Sequence, residues 1–207
     1  MYIPAAFAET DRETLHGFIE MYSFGLLVTD RAGVPFATHL PFLLERNAGS
    51  HGTLLCHLAR ANPQWREAAG KPGLAIFSGP HAYISPSWYA AQDVVPTWNY
   101  VAVHAYGTLE VIDDAASVRP IVEAMVQEYE RYQPQPWELR EREEYLAKMF
   151  AQIVGVRFEI ERLEGKWKLN QNHSAERQTR VIAGLRERGG ENAEAMAELM
   201  EQRSRQP

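Results

Sequence analysis

Apolar positions along this chain change rhythm four times, and the changes mark out its elements. Leu15, Phe18, Ile19 and Tyr22 fall on one helical face and Asp11 can cap it, which predicts a short helix from Asp11 to Tyr22. Two apolar runs follow, Phe24 to Thr29 and Val34 to Leu44, joined by Asp30-Arg31-Ala32-Gly33, a turn whose glycine can take positive φ. A second turn, Asn47 to Gly52, leads into a strand from Thr53 to Leu58. Gly73 to Phe77 and Ala82 to Ile84 read as two more short strands. Tyr100 to Ile112 reads as a long one, with a bulge or sharp bend at Gly107.

The rhythm then turns helical. Ile121, Val122, Met125, Val126 and Tyr129 place a helix over Ser117 to Tyr132, ended by Pro134 and Pro136. Glu138 to Gln152 predicts a second helix, Ile153 to Leu163 a strand of period two, Gly165 a turn, and Lys166 to Leu169 a further strand. The tail, Ala175 to Arg205, predicts two helices broken at Gly189-Gly190. Hairpin-length connections favour antiparallel pairing, and the first hundred residues leave no room for crossover helices. The expected fold class is mainly β with peripheral helices: a small antiparallel barrel that removes its own edges. The expected organisation is a barrel domain over residues 1–172, with a helical insert at about 114–152, and a helical tail over 173–207 packed on the barrel.

Composition narrows the function classes. The chain has 207 residues, 45% hydrophobic and 23% charged, which is ordinary globular composition. Its net charge is −6, from 21 basic and 27 acidic residues, whereas nucleic-acid binders usually carry a basic excess. No apolar run approaches the ~20 residues of a membrane span, and the start MYIPAAFAETDRE lacks a secretory pattern, so the expected location is cytoplasmic. The single cysteine, Cys56, excludes an internal disulfide and reads as a small buried hydrophobe.

Four stretches carry candidate chemistry. In His57-Leu-Ala-Arg-Ala-Asn-Pro-Gln-Trp65 a strand ends. Asn62 can cap a helix whose first position suits Pro63, and Arg60 lies just before it. Such a corner is an anion site, or simply a capped helix with a surface arginine. Thr38-His-Leu-Pro-Phe42 lies in mid-strand, and Pro41 places that strand at an edge, where its backbone could bond a planar heterocycle. Gly79 to Tyr89 and Val95 to Tyr100 concentrate five large aromatics, for a cofactor slot, a subunit interface or plain packing. Gly165-Lys-Trp-Lys-Leu-Asn-Gln-Asn172 offers lysines and amides to a ligand, or is a solvated edge strand.

Other chemistry finds no support. The chain has no HExxH, CxxC, GxSxG, P-loop or GxGxxG motif. His39, His57, His81 and His104 fall on separate strands, so no metal is expected. Arg177, Arg180, Arg186 and Arg188 in the tail are interrupted by Glu176, Glu187 and Glu191. They read as a solvated face, with Val181, Ile182 and Leu185 docking inward.

Taken together, MYIPAAFAE, THLPFLLE, GTLLCHLARANPQW, SGPHAYISPSWY, VPTWNYVAVHAYG and RLEGKWKLNQN resemble the PaiB family of FMN-binding split-barrel proteins, described as negative transcriptional regulators. The resemblance runs from Met1 to about Asn172 and more loosely into the tail. It implies a split β-barrel, a homodimer, and FMN as cofactor at the dimer interface. It implies phosphate binding at Arg60 with His57 and Asn62 beside it, and the ring against Thr38, His39, Leu40 and Pro41. Trp98, Asn99, Lys166, Lys168 and Gln171 are implied nearby, from the same or the other subunit. Two functions follow: a regulator, acting on DNA or through a transcription partner, or a flavin-dependent oxidoreductase with no direct DNA role. A haem-binding barrel is a third, and would need His39 or His57 to face the pocket.

Overall fold

The computed structural model describes residues 1–139 and 143–205. In chain order the elements are β1 (Ala8–Glu9), α1 (Arg12–Met21), β2 (Phe24–Arg31), β3 (Val34–Pro41), β4 (Leu43–Glu45), β5 (Thr53–Ala59) and α2 (Gln64–Ala68). Then come β6 (Pro72–Ile84), β7 (Thr97–Ile112), α3 (Ala115–Glu130), α4 (Glu143–Phe150), β8 (Ile153–Lys168), α5 (Ala175–Arg188) and α6 (Glu191–Ser204). The strands form one eight-stranded, mainly antiparallel sheet in the order β3-β2-β6-β7-β8-β5-β4, with β1 paired to β8.

The β2–β3 hairpin turns through Ala32 and Gly33, both at positive φ, and Asp30 accepts the Gly33 amide, as the Asp-x-x-Gly pattern required. The α5–α6 break falls at Gly189-Gly190, as the pattern also required.

Three expectations need correction. The two short strands at 73–77 and 82–84 are one 13-residue strand, β6. Its pairing with β2 ends at Ile76, so Pro80 removes no bond from that ladder. Likewise β8 runs unbroken through Gly165, which pairs with Glu9 instead of turning. Conversely, the run Val34 to Leu44 divides at Phe42, so Pro41 ends β3 and does not sit in mid-strand. Part of the expected helix over Glu138 to Gln152 falls on residues 140–142, outside the described residues; α4 accounts for its second half.

The chain divides into two compact units. One comprises Arg12–Phe77 and His104–Leu163. Its interior is lined by Leu27, Phe77, Leu54, Cys56, Leu58, Val156 and Phe158, and Phe42 packs edge-on to Phe77 with ring centroids 5.4 Å apart. On the outer side of β5, Leu55 packs with Ile121 and Met125 of α3. A Cβ on Gly107 would lie 1.9 Å from the Glu159 carbonyl oxygen, so this glycine permits a close backbone approach by β8. The other unit comprises Met1–Asp11, Ser78–Val103 and the chain from Glu164 onward. There α5 and α6 pair through buried Val181, Leu185, Met196 and Met200. Trp88 lies against Gly184, where a Cβ would come within 2.5 Å of its ring.

Candidate flavin site

The corner after β5 is built as its sequence suggested, with one shift. The Asn62 side chain accepts the Gln64 amide at 2.9 Å, and the helix begins at Gln64 with Pro63 in the cap position. The same side chain donates to the Thr38 hydroxyl at 3.0 Å. Gln64, almost fully buried, donates to the Leu27 carbonyl, the Thr29 hydroxyl and the Phe36 carbonyl. Two amide side chains therefore tie the corner to β3, which stands at the end of the strand order. Thr38 keeps its own hydroxyl proton for a further acceptor.

Arg60 is held on every side. Its amide donates to the Gln152 carbonyl at 2.7 Å, and its carbonyl accepts from the Trp65 indole at 3.0 Å. Nε donates to the Ala151 carbonyl, Nη2 to the carbonyls of Ile153 and Asp113, and Nη1 to the Asp113 carboxylate. One guanidinium hydrogen is left over, so Arg60 works first as a clasp between segment ends. Arg66 was not singled out by the sequence reading, although it follows Trp65 directly. It is exposed, and its guanidinium lies 4.2 Å from the centre of the Trp65 ring, with that of Arg60 at 6.0 Å.

The other expected residues of this unit differ in exposure. His39 is exposed and stacks on Phe24 at 6.1 Å, Leu40 is buried, and Pro41 is half-buried. His57 is half-buried on the face of β5 that carries Leu55, and its Nδ1 is buried without a hydrogen-bond partner. Burial lowers its pKa below the usual 6.5.

Trp98, Asn99, Lys166, Lys168 and Gln171 belong to the second unit. Asn99 is fully buried and donates to the Met200 sulfur at 3.5 Å. Lys166 is 6% exposed; it donates to the Tyr2 carbonyl and lies 5.0 Å from the centre of the Tyr100 ring. Lys168 donates to the Trp98 carbonyl at 2.7 Å and to the Thr97 hydroxyl, and burial, reinforced by Lys166, lowers its pKa. Gln171 brackets its own turn, donating to the Trp167 carbonyl and accepting the Leu169 amide. Trp98 alone in this group stays half open to solvent.

Residues 1–162 match the family described as "Putative FMN-binding domain". Over 204 residues the chain is 38% identical to the Bacillus subtilis "Protease synthase and sporulation protein PAI 2", covering 97% of each. The chain belongs to the PaiB family of FMN-binding split-barrel proteins. Two solved structures show the same fold. The flavocytochrome Anf3 of Azotobacter vinelandii superposes with a TM-score of 0.61 at 17% identity, over 78% of this chain and 69% of that one. The FAD and heme binding protein of Mycobacterium smegmatis does so with a TM-score of 0.61 at 18% identity, over 83% of this chain and 78% of that one.

The cofactor of this PaiB-family chain is FMN. The donor set at the corner fits its phosphate ester: the Thr38 hydroxyl proton, the exposed Arg66 guanidinium, and the remaining hydrogen of Arg60. The edge position of β3 suits a planar ring that seeks backbone partners.

Proposed function

We propose that the FMN phosphate docks at the corner formed by Thr38, Arg60 and Arg66, with the ring along Thr38 to Pro41. One observation carries this reading: the Asn62 amide bonds to the Thr38 hydroxyl and to the helix start together, which brings β3 to the corner. When bound, FMN supplies one- and two-electron transfer. The protein's own part is to hold the phosphate with charge-assisted hydrogen bonds and to fix the ring's orientation.

The same proposal makes the working form a homodimer. Phe24 and Val34 are 66% and 65% exposed, and the strand β3 that carries Val34 is at a sheet edge. A second copy would cover both. A role in transcriptional regulation, which the family resemblance implies, would then run through a protein partner or the flavin's redox state and not through direct DNA contact. In α5, Arg177 pairs with Asp93, Arg180 with Glu176 and Arg186 with Glu201, so three of the four arginines of that helix already face carboxylates.

The test is titration of the purified chain with FMN and with riboflavin. FMN should bind at least ~10-fold more tightly, since each 1.4 kcal/mol is a factor of ten and only FMN offers a phosphate. Equal affinities would remove the phosphate corner from the reading.

A further inference from the structure

A cavity of about 350 Å³ opens within the unit that carries the tail helices. Strands β6 and β7 contribute His81 and Trp98 to it, and the α5–α6 turn contributes Arg188, Gly189, Gly190 and Glu191. Trp98 is 52% exposed, with Tyr83 edge-on at 6.0 Å and His81 at 6.2 Å. A half-open indole braced by two rings at the wall of a cavity is a stacking platform.

Arg188 supplies charge to the same cavity. Its Nη1 reaches the Tyr83 carbonyl at 3.4 Å, a long and weak contact. The rest of its planar fork matches a carboxylate or a phosphate. Gly189 and Gly190 both hold positive φ, and a Cβ on either would meet nothing within 4 Å, so the turn leaves the space beside Arg188 open. Glu191 is exposed on the same turn and repels an anion from its own side, which confines the anion to the Arg188 side. The volume is at the small end of the ~300–1,000 Å³ range of ligand sites, enough for one ring system and one acidic group but not a dinucleotide.

We infer that this bay binds a small planar aromatic ring carrying one carboxylate or phosphate, stacked on Trp98 and held by Arg188. The inference goes beyond the flavin proposal and uses none of the corner residues. Calorimetric titration of the full chain tests it, with adenosine 5′-monophosphate against adenosine, and indole-3-carboxylate against its neutral amide. At least one acid should bind ~10-fold more tightly than its neutral counterpart, and which acid does so separates phosphate from carboxylate. Arg188→Gln should abolish that ratio, and Trp98→Leu should weaken acid and neutral ligand alike. Saturable binding by neither acid, or a ratio unchanged in Arg188→Gln, overturns the inference. FMN affinity measured on Arg188→Gln, a residue outside the flavin set, should be unchanged, so a failure here is distinct from a failure of the flavin corner. Arg188 is exposed, so its variant tests the site even if Trp98→Leu unfolds.

Discussion

Two arginines that each close a secondary-structure element, Arg60 after β5 and Arg188 at the end of α5, meet opposite fates. Arg60 sits in a sequence motif that advertises an anion site, yet its guanidinium is bonded to two carbonyl-bearing segments and to Asp113. Arg188 sits in a stretch that reads as a solvated face, yet it lines a cavity, and among the described residues its guanidinium makes a single long bond. A guanidinium satisfied by its own chain stabilises the fold; one left unsatisfied beside a concave surface is available to a ligand. Sequence spacing marks both as arginines at element ends and cannot distinguish them, because the difference lies in what the remote segments at 113 and 151–153 bring to Arg60.

The contrast extends to the glycines and gives the largest expected effect. Gly107→Ala would place a methyl 1.9 Å from a β8 carbonyl oxygen, so the backbone must move. A loss of about 3 kcal/mol or more is expected in a urea midpoint measurement, at the upper end for overpacking. Gly190→Ala, facing open space at φ +89, should cost only about 1 kcal/mol, from backbone strain alone. Equal costs at the two positions would erase the distinction between a closed and an open region.

Next in size is the clasp. Arg60→Ala should lower stability by about 2 kcal/mol, because it leaves the part-buried Ile153 carbonyl without its charged donor and also removes the bonds to Ala151 and Asp113. Arg188→Ala should change stability by less than ~0.5 kcal/mol. Thermal melts of the two variants compare them directly, and a neutral Arg60→Ala would show that the clasp contributes little.

The smallest effect is on pH dependence. Burial lowers the pKa of both His57 and His104 below the usual 6.5, and their Nδ1 atoms lack partners. Well above pH 6.5 both rings are neutral in folded and unfolded chains, so no stability is lost there. As pH falls below 6.5 the unfolded chain takes up protons that the folded one resists, and stability declines. Urea midpoints at pH 7.5 and 5.5 should differ, and His57→Phe should reduce that difference. A flat profile would contradict the burial account.

Much of the fold was legible because its signals are local. The Asp30–Gly33 hairpin, the β5-to-α2 corner and the Gly189-Gly190 break each rest on residues within a few positions of one another. The errors at Gly165 and at the 78–81 segment share one cause. Glycine and proline were read as punctuation, but pairing with remote strands, Glu9 for Gly165, kept β8 extended. Within the candidate site, the bond from Asn62 to Thr38 joins two stretches that the sequence reading treated separately. The burial of Asn99 and Lys166 did not show in it, because alternation alone does not say which face another segment covers. Arg66 escaped notice because its only distinguishing feature, the stack on Trp65, is a matter of conformation.

The central claim is that a phosphate ester is held where β3 meets the corner. It is tested most directly by the FMN-to-riboflavin affinity ratio of Arg66→Ala beside that of the parent chain. The account predicts a parent ratio of ~10 or more that falls several-fold in the variant while riboflavin affinity stays the same. An unchanged ratio, or an equal loss for both ligands, would contradict it.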